Sequence, residues 1–190
     1  NAFNAEMILE ITELFNSISF DENIKAIILK GEGTAFCAGA DLNWMKSMAS
    51  YSLEENKKDS EKLFEMFETI YRCPVPVIGK IHGSVFGGGL GLVAACDIVA
   101  CLKETKFCFS EARLGLVPAV ISAFVLKKAV PGLARQMMLT AQIFNDEKAH
   151  EMGLTQVIGA DEEVDDYIQS QIDFILTNGP DAVRDTKHLL

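Results

Sequence analysis

The amino-acid sequence predicts one α/β domain, and three observations support this prediction. Short runs rich in β-branched residues alternate with longer runs whose apolar residues recur every three or four positions. Glycine-rich turns follow several of the predicted strands, as is typical of strand-to-helix connections. The chain has 190 residues, close to the size of one ordinary domain, and its 49% hydrophobic residues are enough for one core. We therefore expect strands and helices to alternate around a single core.

The predicted elements follow one another along the whole chain. Residues 4–16 are predicted to form an amphipathic helix, because Met7, Ile8 and Ile11 begin an apolar stripe at helical spacing. Strands are predicted at residues 24–29, 77–81, 98–102 and 106–109. Further helices are predicted after Asp41 and at residues 53–72, 90–96, 119–130, 132–141, 146–152 and 162–178. The charged residues 56–59 are interpreted as a solvated helix face.

Net charge and hydropathy exclude two classes of protein. The 17 basic and 27 acidic residues give a net charge of −10. This charge disfavours a nucleic-acid partner, because binding to the phosphate backbone requires clustered lysine and arginine. The longest uncharged run, residues 81–96, is shorter than a membrane span, so we expect no membrane insertion.

The cysteines and histidines indicate a reducing compartment and no metal site. The five cysteines contain no CxxC pair and lie mostly among apolar residues, as expected of free thiols. The three histidines are isolated, and no group of ligand residues has the spacing of a metal site. We expect the protein in the cytoplasm, or in the mitochondrial matrix of a eukaryote.

The ends of the chain indicate a piece of a longer protein. The first residues include neither an initiator methionine nor a basic and apolar leader. The last residues stop within a helical pattern. Within this piece we expect residues 1–141 to form a core and residues 142–190 to begin a mainly helical region of the same domain.

Two glycine-rich turns follow predicted strands and precede predicted helices. The first glycine turn, FCAGADL at residues 36–42, has small side chains that let a ligand approach the main chain, and Asp41 is placed to cap the next helix. The second glycine turn, residues 87–89, presents free N–H groups at a helix N-terminus, where an anionic oxygen binds well. Taken alone, the first turn is more simply explained as a tight strand-to-helix connection, and the second is equally compatible with close packing of a helix against a strand.

Glu111 is the candidate acid–base residue. It follows the strand residues Phe107 and Phe109 and precedes an apolar stretch, where desolvation would raise the pKa of its carboxyl group. A carboxylate at a surface helix start is the simpler alternative for Glu111 alone. Together with the two glycine turns, however, two N–H groups and one carboxylate would meet at a carbonyl group. Such an arrangement stabilises an enolate, and each oxyanion donor contributes about 3 kcal/mol.

Three motifs in matching order and spacing resemble the crotonase family, which contains enoyl-CoA hydratases and isomerases. They are FCAGADL at residues 36–42, HGSVFGGG at 82–89 with CDI at 96–98, and FSE at 109–111 with LGLVP at 114–118. Residues 140–144 and 149–154 are similar to the later TGxxxxAxxAxxxGLV stretch of the family, so the resemblance covers essentially the whole chain. It implies a spiral of ββα turns with a helical C-terminal part that joins subunits into homotrimers or dimers of trimers.

The resemblance also implies roles for individual residues. Ala40 and Gly88 would form the oxyanion hole for the thioester oxygen of an acyl-CoA, and Glu111 would handle the proton at the α-carbon. The residues expected to contact the substrate are Ala38, Asp41, Leu42, Trp44, Gly87, Gly91, Val117 and Pro118. Trp44 alternatively forms only the inward face of a helix. CoA enters as part of the substrate, and neither a metal nor a redox cofactor is expected.

Gly91 departs from the family pattern. Hydratases of the family with two glutamates carry the first of them at this position, two residues after the third glycine. With Glu111 alone, hydration needs a proton relay. Residues 41–45, 91–97 and 116–122 are nevertheless similar to the methylglutaconyl-CoA hydratase-like branch, whose substrate carries its own carboxylate. The resemblance therefore implies an enoyl-CoA hydratase of fatty acid metabolism or leucine catabolism.

Three alternatives stay open at this point, and one of them is another reaction of the same family, namely thioester hydrolysis, dehalogenation or decarboxylation. A Δ3-Δ2-enoyl-CoA isomerase would use Glu111 as its single acid–base residue, and a non-catalytic acyl-CoA binder would explain the missing glutamate. Cys37 and His82 invite a thiol-nucleophile interpretation. We prefer to interpret Cys37 as a small pocket-wall residue and His82 as a strand-end residue. Asp97, the carboxylate closest to Gly91 in sequence, is interpreted as a structural cap.

Overall fold

Helices and strands cover most of the chain. The computed structural model describes residues 1–18, 21–48 and 50–190. Helices α1 to α9 span Ala5–Ile18, Leu42–Met48, Leu53–Tyr71, Gly88–Ala95, Ala119–Lys128, Pro131–Thr140, Asp146–Glu151, Asp161–Thr177 and Pro180–Leu189. Strands β1 to β7 span Ile27–Lys30, Val77–Ile81, Ser84–Phe86, Ile98–Leu102, Lys106–Cys108, Phe144–Asn145 and Val157–Gly159, and a 3₁₀ turn spans Glu111–Leu114. Within the described ranges, no helix combines the length and apolar character that crossing a membrane requires.

A four-stranded parallel sheet with the order β1-β2-β4-β7 organises the core. In this sheet Val77 pairs with Ile27, and Ile78 pairs with Ile98. Strand alternation places Val77 in the main hydrophobic core on one face, while Ile78 lies in a second cluster on the other face. Because both faces are covered, the strands are apolar almost throughout, and this was the signal that predicted them.

Helix α8 covers the second face of this sheet. Val164 and Ile168 of α8 are buried against strand residues. At the edge of this contact, Lys80 Nζ lies 2.8 Å from Asp161 Oδ1 and 2.6 Å from Asp165 Oδ1. The helix is therefore held to the sheet by apolar burial in the middle and by ion pairs at the side.

A second, smaller sheet positions both glycine turns. Strand β3 pairs in parallel with β5, and β5 pairs antiparallel with β6. An isolated bridge between Cys37 and Val85 joins the first glycine turn to β3. Sequence analysis treated the residues of β3 as part of a turn, since a strand of three residues is too short to show a periodic pattern.

Strands beyond residue 141 belong to both sheets. Strand β6 completes the small sheet beside β5, and β7 extends the large sheet beside β4. They contain two and three residues, whereas only helices were predicted in this part of the chain. The helices predicted at 146–152 and 162–178 are present as α7 and α8. The C-terminal third is therefore mainly helical, with two short strands that tie it to the core.

Most predicted boundaries lie close to the observed ones. The predicted strands at 77–81 and 98–102 have both ends as observed in β2 and β4. Helix α4 begins at Gly88, two residues before the predicted start at residue 90. The first strand begins at Ile27 rather than at residue 24. At Ile27 the backbone N–H donates to the carbonyl oxygen of Pro76, the residue just before β2. The alternation of strands and helices confirms the α/β class.

Asp97 ties the beginning of β2 to helix α9. Its Oδ2 accepts hydrogen bonds from Val77 N–H at 2.7 Å and from Lys187 Nζ at 2.6 Å. Lys128 Nζ donates to the carbonyl oxygens of Cys96 at 2.7 Å and Asp97 at 3.1 Å, just beyond the end of α4. The interpretation of Asp97 as a structural residue is therefore confirmed.

Asp97→Ala should lower the free energy of unfolding by about 1–2 kcal/mol, because it removes the acceptor shared by a backbone N–H and Lys187. Urea denaturation of the two proteins measures this difference. Glu61→Ala is a matched control, because its ion pair with Lys57 is exposed, and it should cost less than about 0.5 kcal/mol. An equal loss of unfolding free energy in both variants would contradict the stabilising role of the hydrogen bonds to Asp97.

Candidate active site

The first glycine turn exposes one backbone N–H group without an acceptor. Phe3 forms an isolated parallel bridge with Ala40, in which Phe3 N–H donates to Gly39 O at 2.8 Å and Asp41 N–H donates to Phe3 O at 2.7 Å. Because these two bonds face Phe3, the N–H of Ala40 points to the opposite side of the segment. No described residue accepts a hydrogen bond from it. The turn therefore offers a free donor at residue 40.

The second glycine turn begins helix α4, with Gly87 as its N-cap. Gly87 has φ 51° and ψ −121°, a conformation that favours glycine. Its N–H donates to Cys108 O at 2.9 Å, whereas the N–H of Gly88 has no acceptor in the part of the chain that is described. A free N–H in the first turn of a helix, at the positive end of its dipole, favours an anionic oxygen. A Cβ atom at Gly88 would lie 2.9 Å from Phe3 Cε2, so a side chain does not fit there.

Backbone contacts hold the two glycine turns together. Cys37 N–H donates to Ser84 O at 3.1 Å, and Phe86 N–H donates to Cys37 O at 2.9 Å. A Cβ atom at Gly39 would lie only 3.1 Å from Phe86 O. The small residues seen in the sequence therefore allow one main-chain segment to approach the other, and this approach brings both free donors to one region.

Glu111 begins the 3₁₀ turn after β5 and lies beside the second glycine turn. A Cβ atom at Gly87 would be 3.4 Å from Glu111 Oε1. The other carboxylate oxygen, Oε2, is buried and has no hydrogen-bond partner among the described residues. Burial desolvates the carboxylate and raises the pKa of Glu111 above its ordinary value, and a bond from its own backbone N–H opposes this effect. A carboxyl group with a raised pKa holds a proton more readily than an exposed one, which suits it to general acid–base chemistry.

One cavity of about 830 Å³ joins these groups. The main chain at residues 38–40 and 87–88 lines it together with Ser110 and Glu111. The apolar lining consists of Phe3, Leu42, Trp44, Met45, Met48, Leu63, Leu114, Leu116, Val117, Pro118, Ala119, Val120 and Ile121. Three polar residues of α3, Asn56, Asp59 and Ser60, line another wall. This volume is typical of a small-molecule binding site.

The cavity contains most of the residues expected to contact a substrate. Its lining includes Ala38, Leu42, Trp44, Gly87, Val117 and Pro118, as well as Ala40, Gly88 and Glu111. Asp41 and Gly91 are not part of this lining. Asp41 Oδ1 instead accepts hydrogen bonds from Asn43 N–H at 2.8 Å and Trp44 N–H at 2.9 Å. Asp41 is thus the helix cap that its place in the sequence predicted, and it immediately precedes α2.

Gly91 lies within α4, where its surroundings leave no space for a side chain. A Cβ atom at this residue would lie 2.6 Å from Phe67 Cζ and 2.8 Å from Ile121 Cγ2. Both atoms belong to buried side chains of the main core, from α3 and α5. The position at which the family pattern has a glutamate is therefore filled by Phe67 and Ile121. A carboxylate there would require both side chains to move.

Cys37 and His82 have contacts that a structural role explains. Cys37 is buried, and burial raises the pKa of its thiol, which disfavours the reactive thiolate. His82 Nε2 lies 3.0 Å from the carbonyl oxygen of Gly33 and so links the end of β2 to a neighbouring loop. Cys37 belongs to the main hydrophobic core and is not part of the cavity lining, so its interpretation as a pocket-wall residue is wrong. The contact of His82 supports its interpretation as a strand-end residue.

Several residues of the cavity carry little or no signal in the sequence. Phe3 reaches the site through its bridge with Ala40, and contacts between residues so far apart leave no local signal. Asp59 lines the cavity from the helix face that was interpreted as solvated, and its side chain is only 16% exposed. Ser110 lies next to Glu111, and its Oγ would be 3.2 Å from a Cβ atom at Gly87. Adjacency to the candidate carboxylate was the one available signal for Ser110.

Known proteins show which family has this fold and site. The family model described as enoyl-CoA hydratase/isomerase matches residues 1–190. The enoyl-CoA hydratase ACTT6 of Alternaria alternata is 36% identical over 167 residues, which cover 86% of this chain and 53% of that protein. The peroxisomal Delta(3,5)-Delta(2,4)-dienoyl-CoA isomerase of Arabidopsis thaliana is 32% identical over 202 residues, covering 100% of this chain and 72% of that protein.

A solved structure has the same fold. The crystal structure of an enoyl-CoA hydratase from Shewanella pealeana matches with a TM-score of 0.95 at 36% identity, covering 99% of this chain and 70% of that chain. The protein therefore belongs to the enoyl-CoA hydratase/isomerase family, and the crotonase fold implied by the sequence motifs is confirmed. The chain spans 53% of the length of the Alternaria relative.

Gly91→Ala should destabilise the protein by about 1–3 kcal/mol, since the added methyl group overlaps Phe67 and Ile121 in a packed core. Gly132→Ala is the matched control, because it also lies in a helix but an added Cβ atom meets nothing within 4 Å. The control should be neutral or stabilising by up to about 1 kcal/mol. Chemical denaturation of both variants provides the comparison. Equal stability of the two would show that residue 91 has room for a side chain.

The unfolding free energy of Glu111→Gln, relative to that of the wild type, should increase as the pH rises. The pKa of Glu111 is raised in the folded protein, so in the unfolded chain the carboxyl group loses its proton at a lower pH. The stability that the Glu111 carboxyl group contributes is therefore fully present below the ordinary carboxyl pKa and is lost as the pH rises through the folded pKa, whereas the amide does not titrate.

Unfolding free energies measured from about pH 4 to pH 8 test this behaviour, because ordinary carboxyl groups titrate at the lower end of that range. Glu61→Gln, an exposed control, should differ from wild type by less than about 0.5 kcal/mol at every pH. A difference between Glu111→Gln and wild type that stays constant with pH would contradict the raised pKa of Glu111.

Proposed function

We propose that the protein is an enoyl-CoA hydratase, which adds water across the α,β double bond of an acyl-CoA thioester. The observation that carries this proposal is the Glu111 carboxylate beside Gly87, in the cavity that Ala40 and Gly88 also line. The similarity to proteins described as enoyl-CoA hydratases supports the same activity.

In this proposal, the N–H groups of Ala40 and Gly88 bind the thioester oxygen of the substrate. Both groups border the cavity, and neither has an acceptor among the described residues. When water adds to the β-carbon, negative charge develops on that oxygen, and donors already in place stabilise it without reorganisation. Each such donor contributes about 3 kcal/mol, and the dipole of α4 strengthens the field at Gly88.

Glu111 transfers the proton to the α-carbon in this proposal. A carboxyl group with an ordinary pKa is almost fully ionised at neutral pH and is a poor proton donor there. Burial raises the pKa of Glu111, which increases its affinity for a proton in the site. The same group can then accept a proton in one step and return it in the next.

The remaining lining suits the rest of the substrate. Leu42, Trp44, Val117 and Pro118 offer an apolar wall for the acyl group and help to keep bulk water from the enolate. The main chain near Ala38 is the proposed contact for the CoA part. The proposed chemistry uses main-chain donors and side chains of the protein, and CoA enters with the substrate.

A branched acyl group with its own carboxylate, of the methylglutaconyl type, is the proposed substrate class. The similarity of residues 41–45, 91–97 and 116–122 to that branch supports it. The absence of a side chain at Gly91 fits such a substrate, since a second buried carboxylate would repel its charge. This substrate class would give the protein a role in leucine catabolism.

Assembly into homotrimers or dimers of trimers is proposed with this function. The family resemblance supports it, as do large exposed apolar side chains on α5 and α6 and between them, namely Leu126, Val130 and Leu139. Apolar surface of this kind is typical of contacts between subunits.

A Δ3-Δ2-enoyl-CoA isomerase is the second candidate. The filled position at Gly91 favours it, because moving a double bond requires only one carboxylate, which removes a proton from one carbon and returns it to another. The similarity to the Arabidopsis protein described as a dienoyl-CoA isomerase also supports an isomerase activity.

Glu111→Gln should lower kcat for hydration by at least about 100-fold, because an amide cannot carry the proton to the α-carbon. The loss of enoyl absorbance from crotonyl-CoA and from 3-methylglutaconyl-CoA measures the reaction. Glu61→Gln should keep wild-type activity, since Glu61 is an exposed residue on the outer face of α3.

Three other results would each change the assignment. Turnover by Glu111→Gln within tenfold of wild type would exclude the proposed role of Glu111. New conjugation formed from a 3-enoyl-CoA, without any hydration, would establish the isomerase. Binding of acyl-CoA without turnover of any substrate would indicate a non-catalytic binder.

A further inference from the structure

Hydration needs a group that holds the attacking water, and the filled position at Gly91 excludes a carboxylate there. Apart from Glu111, the described residues that line the cavity include four with a hydroxyl, amide or carboxylate side chain, namely Asn56, Asp59, Ser60 and Ser110. Their distances from the second glycine turn and their present hydrogen bonds distinguish them.

The polar side chains of α3 lie away from the glycine turns. Phe67 is the α3 residue beside the second turn, because a Cβ atom at Gly88 would lie 3.9 Å from its Cζ. Asp59 and Ser60 precede Phe67 by about two helical turns, which is roughly 11 Å along the axis. Ser60 Oγ also donates to Asn56 O at 2.9 Å, so this hydroxyl is already engaged. These groups therefore border the far part of the cavity.

Ser110 lies at the second glycine turn, and its hydroxyl is unpaired. A Cβ atom at Gly87 would be 3.2 Å from Ser110 Oγ and 3.4 Å from Glu111 Oε1. Ser110 is the N-cap residue of the 3₁₀ turn, yet its side chain makes no capping hydrogen bond, nor any other within the described ranges. Ser122, by contrast, has a paired hydroxyl, since its Oγ donates to the carbonyl oxygen of Ala119 at 2.8 Å.

The neighbouring carboxylate also lacks a partner. Glu111 Oε2 is buried without a hydrogen bond from any described residue. A buried polar atom of this kind is normally satisfied by an ordered water or a ligand. Because Ser110 Oγ and Glu111 Oε1 flank the same backbone position, one water molecule can contact both side chains.

We propose that Ser110 holds the attacking water against Glu111 during hydration. Ser110 would thereby take the place of a second carboxylate at residue 91. This inference rests on the proposed hydratase function. Ser110 contacts the reacting water itself and is therefore a catalytic residue in this scheme.

The step balances with water as the only added reactant. The water oxygen bonds to the β-carbon while one of its O–H bonds breaks, and that proton passes to the Glu111 carboxylate. The π electrons move to the thioester oxygen, where the N–H groups of Ala40 and Gly88 hold the enolate. Glu111 then gives the proton to the α-carbon as the thioester carbonyl re-forms. The hydroxyl of Ser110 accepts a hydrogen bond from the other O–H of the water and is unchanged.

Ser110→Ala should separate water addition from proton transfer at the α-carbon. We expect kcat for hydration of crotonyl-CoA to fall by about 10- to 100-fold, as for one hydrogen bond to a reacting group. Exchange of the α-hydrogens of butyryl-CoA with D2O, followed by mass spectrometry, requires Glu111 and the oxyanion donors but no attacking water. The exchange rate should therefore stay within about twofold of wild type.

Two further variants control this experiment. Ser110→Thr keeps a hydroxyl group and should hydrate within about threefold of the wild-type rate. Ser122→Ala removes a hydroxyl outside the cavity and should change neither rate. Thermal midpoints of all variants establish that each is folded.

The outcomes that overturn the proposal are distinct from failure of the proposed function. Ser110 is not the water-holding group if Ser110→Ala hydrates at the wild-type rate, or if Ser110→Thr is as slow as Ser110→Ala. A parallel fall in hydration and exchange would show that Ser110 only supports the position of Glu111. A wild-type protein that exchanges α-hydrogens but hydrates no enoyl-CoA would overturn the hydratase function and, with it, this role.

Discussion

The close approach of two main-chain segments is the constraint on which the candidate site depends. Cys37 of the first glycine turn is hydrogen-bonded to β3, the strand that leads directly into the second turn, and Phe3 bridges the first turn. Helix α4 is buried along almost its whole length, from Gly89 to Ala95, so its first turn is held in place by the core. The free N–H groups of Ala40 and Gly88 are thereby fixed before any ligand binds. Preorganised donors are those that stabilise developing charge most effectively.

The packing that fixes α4 also limits the number of carboxylates in the site. Phe67 fills the space beside Gly91, and its ring is 6.0 Å from that of Phe3 and 5.8 Å from that of Phe124. The aromatic core thus extends from the middle of the domain to the glycine turns. A side chain at residue 91 would overlap this core, so under the proposed function proton transfer is assigned to Glu111 and to small polar groups beside it. Core packing and chemistry are therefore not independent in this protein.

Glu111 illustrates a balance between stability and function. Its buried oxygen has no partner among the described residues, and an unsatisfied buried acceptor lowers the stability of the folded state. The same desolvation raises the pKa of Glu111, because a carboxylate that is poorly solvated binds a proton more tightly. Asp97 shows the contrast, because its carboxylate oxygen accepts hydrogen bonds from a backbone N–H and from Lys187 and so stabilises the fold. Perturbed and unsatisfied groups of this kind are concentrated at functional sites.

The sequence by itself determined the α/β class, the bounds of β2 and β4, the two glycine turns and the candidate carboxylate Glu111. Each of these depends on residues close together in the chain, whose periodicity, glycine content or apolar flanks can be read directly. Only the tertiary structure decided that β3, β6 and β7 form, that Phe3 meets Ala40, and that the space at Gly91 is filled. The unpaired hydroxyl of Ser110 was equally invisible in the sequence. Local preferences act over a few residues, whereas packing and hydrogen bonding join residues whose distance along the chain carries no signal of their contact.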